Sequence, residues 1–215
     1  MPVLKLFWED PYLAEIEAVV TSVEGDAVTL NRTIAYAFSG GQASDSGMIG
    51  EYEILDARCD GLEIRYTIPA GHTLKTGDRV TVTIDRDKRH RIMRLHFAAE
   101  LVLELVYRNY DRPEKIGANI TADKARVDFY WNGSIAETFP FLENRIREIV
   151  DANLDIVSEF TDEREQRRRW RIDGFAEVAC GGTHPKKTGE VGQVKLKRNN
   201  IGGGKERIEI YLPTA

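Results

Sequence analysis

The sequence predicts an α+β chain, with a small N-terminal β-barrel over residues 1–86 and a two-layer α/β domain with an antiparallel sheet over residues 87–215. Three observations predict it. The first 86 residues hold five or six short strand-like runs separated by glycine turns, the pattern of a small barrel. A strongly apolar, helix-like run follows from Asp87. After it, strand-like and helix-like segments are interspersed to the end of the chain.

In order, residues 14–20 and 27–30 are predicted strands joined by a tight turn at Glu24-Gly25-Asp26. Residues 51–57 and 62–68 flank Asp60-Gly61, a hairpin signal. Residues 79–85, RVTVTID, alternate with period two after a turn at Lys75-Thr76-Gly77-Asp78. Residues 87–109 predict the central helix. Ile92, Leu95, Ala99, Val102 and Val106 make it apolar on more than one side, which marks a buried helix.

Residues 125–131, ARVDFYW, predict a strand. Residues 140–154 predict a second helix, with Pro140 in its first turn and Leu142, Ile146, Ile149, Val150 and Leu154 at helical spacing. A strand over 155–160, a short charged helix over 161–169 capped by Thr161, and a strand over 171–179 follow. A hairpin of 192–197 with 206–212 closes the chain. Its glycine loop, IGGGKE, is not a Walker phosphate loop, because the spacing differs and no Ser or Thr follows Lys205.

Hydrophobic content of 42% and charged content of 30% describe an ordinary globular chain. No run of about 18 apolar residues is present, so no membrane span is expected. The first residues carry acids and lack the basic start and apolar core of a secretion signal. The two cysteines, Cys59 and Cys180, do not indicate a disulfide framework and fit a reducing cytoplasm. Net charge is -5, but residues 164–207 hold twelve Lys or Arg against five acids, which makes that span +7 and the remainder -12. Such asymmetry points to a polyanionic partner on the basic span. The competing reading is a solvated helix face around residues 164–171.

Chemistry concentrates in residues 180–197, CGGTHPKKTGEVGQVKLK. Cys180 and His184 stand four residues apart around Gly181-Gly182, a turn that lets both side chains face one point. Thiolate and imidazole are preferred ligands of tetrahedral zinc. A second pair must come from elsewhere, and His96 and Glu100 share one face of the central helix. The expected site is one zinc ion per chain held by His96, Glu100, Cys180 and His184. A hydrogen-bonded core histidine is the bland alternative. Glu104, one turn further on, is expected to reach solvent.

The same stretch resembles the CGGTH-x-x-x-TGE-x-G segment of the editing domain of alanyl-tRNA synthetase. SGGQASDSG at residues 39–47 resembles that family's GGQ-x-x-D-x-G loop, and RIMRLHFAAEL matches its helix carrying H-x-x-x-H. The 215 residues leave no room for an amino-acid-activating domain, so the chain resembles the free-standing, AlaX-type alanyl-tRNA editing proteins over residues 33–211. The family's second helix histidine is Glu100 here. Three firm ligands, His96, Cys180 and His184, would leave an open position, with Glu100 as a fourth ligand or as a base acting on water.

The resemblance implies an aminoacyl-tRNA deacylase. It would hydrolyse the ester of mischarged tRNA(Ala), chiefly seryl-tRNA(Ala), with glycyl-tRNA(Ala) as a second substrate. An activating pocket built for alanine rejects these small competitors by only about a hundredfold, which is why a second site is needed. The implied partner is the tRNA(Ala) acceptor end, with no membrane and no ATP. Expected catalytic residues are Thr33, Gln42 and Glu100, with the Thr33 hydroxyl near the substrate's side chain. Gly40, Gly41, Asp45, Gly181, Gly182 and Thr183 are the expected substrate-binding residues. Two rivals stand beside this reading: a non-catalytic tRNA-binding module and a metal-dependent hydrolase of another small ester.

Overall fold

The computed structural model describes residues 2–213. It is a mixed α and β structure whose larger sheets are antiparallel. The chain forms two units, Met1–Ser39 with Ala43–His90, and Gly40–Gln42 with Arg91–Ala215.

The first unit is built from nine strands: β1 (Leu4–Lys5), β2 (Glu15–Glu24), β3 (Ala27–Leu30), β4 (Arg32–Thr33), β5 (Gly47–Ile49), β6 (Tyr52–Glu53), β7 (Asp56–Asp60), β8 (Glu63–Thr67) and β9 (Arg79–Ile84). Seven of them form one sheet in the order β6-β5-β9-β2-β3-β8-β7, and β1 pairs in parallel with β4. The ten-residue β2 explains the curl. Its first half pairs with β9 and its second half with β3, with a register shift between Val20 and Ser22. Such a shift bends a strand and raises its twist. Among the described residues no pairing joins β6 to β7, so the curled sheet is a half-barrel left open between those strands, with one isolated parallel bridge from Phe38 to Arg58 on the β7 edge. Alternation buries Val80, Val82 and Ile84 on β9 and Ile64 and Tyr66 on β8 into one apolar cluster.

Helix α1 (Arg86–Asn109) starts where Asp85 accepts the amide of Lys88 at 2.9 Å, a side-chain cap. Ile92, Met93, Leu95, Phe97, Leu101 and Val102 are fully buried, so α1 is enclosed on several sides as its composition demands.

In the second unit, β10 (Lys115–Ile120), β11 (Ala125–Tyr130), β15 (Lys195–Gly202) and β16 (Lys205–Tyr211) form an antiparallel sheet in the order β10-β11-β16-β15. Between β11 and β15 come α2 (Phe139–Asp151) and a second sheet of β12 (Val157–Asp162), β13 (Arg167–Ile172) and β14 (Ala176–Ala179). Helix α2 stops short of the expected Leu154, because Asn153 takes a left-handed conformation (φ 48°) and the Leu154 amide bonds the Thr188 hydroxyl instead.

The charged helix expected over 161–169 is absent. Residues there form the β12–β13 hairpin. Arg168, Trp170 and Ile172 alternate inward, so the arginine run has strand periodicity. Arg169 on β13 bridges Glu159 on β12 and Glu177 on the other side, on the strand that follows, pairings that a helix would have broken. Strand β10 was not expected from the sequence. Its KIGANI run alternates weakly, and its hydrogen-bonded partner β11 defines it.

Candidate metal centre

Two elements converge in the second unit. Helix α1 supplies His96. The loop leaving β14 supplies Cys180, whose amide donates to the Arg168 carbonyl at 2.9 Å and so prolongs the β13–β14 pairing by one residue. The chain then turns through Gly181, Gly182 and Thr183 to His184. Beyond it, the Ile156 amide bonds the Lys186 carbonyl at 2.8 Å and the Thr188 hydroxyl bonds the Ile149 carbonyl at 2.7 Å, which fixes the loop's far end to the end of α2.

The ligand atoms of His96, Cys180 and His184 all lie within 4.8 Å of one another. Both histidines are buried, at 5% and 4% exposure. His96 Nε2 is 3.6 Å from the Cys180 sulfur, and the two imidazole centroids are 4.9 Å apart. Ser158 Oγ is 3.3 Å from His184 Nδ1. The other ring nitrogen of His184, Nε2, is buried with no hydrogen-bond partner. An orphaned buried nitrogen is costly unless something occupies its lone pair or takes its proton. Together with a thiol and a second imidazole, it makes a donor set that fits zinc.

Gln42 sets the state of His96. Its Oε1 accepts the Thr183 amide at 3.1 Å and its Nε2 donates to the Thr183 hydroxyl at 2.9 Å. A backbone N–H can only donate, so the oxygen of the amide is identified by its partner. His96 Nδ1, 2.8 Å from that oxygen, must therefore carry a proton. Nε2 is left pointing at Cys180, the tautomer a metal ligand needs. Gly182 is required beside it, because a Cβ there would lie 2.1 Å from His96 Cε1 and 2.7 Å from Gln42 Oε1.

Glu100 stands at the edge of this group. Its Oε1 is 3.4 Å from His96 Nε2, and its Oε2 accepts the Trp170 indole N–H at 3.2 Å. Burial disfavours its charge, but the hydrogen bond and charge of His96 prevail and hold the carboxyl down at about 2. Burial likewise opposes charge on His96 and on Cys180, yet their mutual attraction wins on both sides. The imidazole is raised and the thiol lowered, the signature of an imidazolium–thiolate pair when no metal is bound.

The remaining expected residues divide between the units. Gly40 and Gly41 have positive φ (58° and 90°), and Gly41 lies against β10, where its carbonyl accepts the Ile120 amide at 2.8 Å. Asp45 and Thr33 belong to the first unit. Asp45 accepts the Tyr36 amide at 2.7 Å and pairs with Arg89 through both carboxylate oxygens, both side chains being 2% exposed. This is a buried anchor for the 39–47 loop. The Thr33 hydroxyl accepts the Ala35 amide at 3.0 Å and lies 2.7 Å from the Tyr66 hydroxyl, which itself donates to the Ala35 carbonyl at 2.8 Å. Glu104, expected in solvent, pairs with Arg108 at 3.6 Å.

Trp170 and Ser158 were not among the expected site residues. The inward alternation of RRRWRI carried a signal for Trp170; nothing local marks Ser158. No helix among the described residues is long and apolar enough to cross a membrane.

Residues 171–209 match the family model described as the threonyl and alanyl tRNA synthetase second additional domain. The chain is 30% identical to the alanyl-tRNA editing protein AlaX-M of Pyrococcus horikoshii, over 97% of each chain. It is 33% identical to the AlaX-M of Methanosarcina mazei, over 96% of this chain and 95% of the relative. It is also 33% identical to the alanine–tRNA ligase of Archaeoglobus fulgidus, where 95% of this chain matches only 25% of the ligase. The full-length matches to free-standing proteins, set against a quarter of the ligase, show that the chain belongs to the AlaX family of alanyl-tRNA editing proteins.

Proposed function

We propose that this protein is a trans-editing aminoacyl-tRNA deacylase that acts in the cytoplasm on the acceptor end of tRNA(Ala) charged with serine and, to a lesser degree, glycine. Its relatives are named as alanyl-tRNA editing proteins, and the buried His–Cys–His group is the observation that carries a hydrolytic site. His96, Cys180 and His184 would hold one zinc ion, which supplies Lewis acidity toward the aminoacyl ester. Gln42 keeps the Nδ1 proton on His96 and aligns the Thr183 backbone in the same stroke. Glu100, an anion fixed by Trp170, takes the part of proton acceptor from water or of a fourth ligand. Gly181, Gly182 and Thr183 would line the approach of the ester, Gly40 would leave its backbone open to it, and Gly41, bonded to β10, would fix the loop.

Thr33 would select serine. Tyr66 already donates to the Ala35 carbonyl, so the Thr33 hydroxyl proton is directed to Tyr66 and a lone pair remains on Oγ1. A lone pair can accept from a serine hydroxyl and has nothing to offer an alanine methyl. A polar site of this kind discriminates more strongly than an apolar one.

The test is metal content measured beside deacylation of seryl- and alanyl-tRNA(Ala). Expected is about one zinc per chain, with wild type clearing seryl-tRNA and sparing alanyl-tRNA. Cys180→Ala should clear neither. Equal rates on the two substrates would defeat editing, and tRNA binding without turnover would favour a binding module.

A further inference from the structure

The sheet β10-β11-β16-β15 has two unlike faces. Val127, Phe129, Ile208 and Ile210 are buried on one. The residues between them point the other way. On β11 and β16, Arg126 stands opposite Glu209, Asp128 opposite Arg207, and Tyr130 opposite Lys205. On β15, Lys197 stands opposite Glu209 and Lys195 opposite Tyr211. Lys124, just ahead of β11, reaches Glu209 at 2.5 Å.

The charges on this face are layered. The two carboxylates lie underneath, with side-chain exposures of 8% for Asp128 and 13% for Glu209. Arg126, Arg207 and Lys124 cover them at 30%, 23% and 40% exposure. Arg207 grips Asp128 through two nitrogens at 2.7 and 2.9 Å. Tyrosine rings hold the ammonium groups: Lys197 lies 4.8 Å from the Tyr211 centroid and Lys205 5.6 Å from that of Tyr130. Solvent therefore meets six cations and two rings, on a chain whose net charge is -5. The arginine run of the β12–β13 hairpin is different. Its partners Glu159, Glu177 and Asp173 are themselves exposed at 39%, 49% and 85%, so that field is cancelled at the surface.

We infer that this open sheet face docks the phosphate backbone of tRNA. The inference rests on the deacylase reading, and it places the polyanion on a defined surface that includes Lys124, Arg126 and Tyr130, all outside the basic span of residues 164–207. Fixed cations over buried carboxylates suit a phosphate chain, because salt-dependent affinity follows the number of phosphates neutralised.

The test is a Lys197→Gln/Lys205→Gln double variant, which keeps polar side chains at two exposed-face positions outside the metal group. Fluorescence anisotropy with tRNA(Ala) across a salt series would be read beside steady-state deacylation of seryl-tRNA(Ala). Expected is binding weaker by about tenfold at 0.1 M salt, and a log–log salt slope shallower by about 1.5 to 2. KM should rise by a similar factor with kcat unchanged, and the melting temperature should match wild type. Unchanged affinity and slope in the variant, with wild type still clearing seryl-tRNA, would overturn this surface and leave the deacylase reading standing. A wild type that binds no tRNA would overturn both.

Discussion

The site depends on atoms that have one possible role each. The Thr183 amide fixes the orientation of the Gln42 side chain, and Gln42 fixes the proton on His96. Gln42→Ala should therefore lower zinc affinity by about 10–100-fold, the usual cost of losing the group that orients a ligand histidine. Competition with a metal-sensitive dye reads this directly, and an unchanged affinity would remove Gln42 from the site. Gly182→Ala is the steric counterpart. Its Cβ would collide with the His96 ring, so metal stoichiometry should fall while the fold survives at a cost of about 1–3 kcal/mol. In metal-free protein, the His96 imidazolium draws the Cys180 thiol below its ordinary range. Because the folded thiol is lowered, its thiolate persists at neutral pH and is lost only as pH falls through about 6. Alkylation of Cys180 followed by mass spectrometry should show that profile, shift upward in His96→Asn, and stop when zinc is added.

At the level of elements, helix α1 carries both an anchor and a ligand. Arg89 in its second turn pairs with Asp45, and His96 two turns later faces Cys180. Asp45 was expected to bind substrate; in the structure its carboxylate accepts from the Tyr36 amide and from Arg89 within its own unit. Asp45→Ala would leave the Arg89 guanidinium buried without its carboxylate, a loss on the order of 3–5 kcal/mol. Urea unfolding measures it, and a loss under about 1 kcal/mol would mean that water reaches the guanidinium. The sequence showed α1 clearly, because a run apolar on several sides has few other uses. It misled at residues 161–169, where three adjacent arginines hid the alternation of Arg168, Trp170 and Ile172. Charge density suggested a solvated helix, but Arg168 packs inward over the Phe160 ring while Arg169 reaches acids on both neighbouring strands.

Across the whole molecule, the parts of the site nearest in sequence were the most legible. Cys180 and His184 announce themselves by spacing, and His96 by its burial among apolar neighbours. Ser158 and Trp170 reach the site only through sheet pairing, which no local pattern encodes. The curl of the first sheet was legible in its glycine turns and alternation. Its open edges were not, since strand closure depends on β6 and β7, whose ends are set by tertiary packing. The basic character of the C-terminal half was visible in composition. Which cations face solvent unopposed depends on where the carboxylates sit, at 8% and 13% exposure on the open sheet and largely exposed on the hairpin.

On this reading, segments far apart in the chain, at residue 96 and at residues 180–184, hold a single ion. Zinc K-edge absorption on the metal-loaded protein tests it most directly. Expected is a first shell with one sulfur at about 2.3 Å and nitrogen or oxygen donors at about 2.0–2.1 Å, with the sulfur scattering lost in Cys180→Ala. A shell without sulfur, or a wild type that retains no zinc after gel filtration, would contradict it.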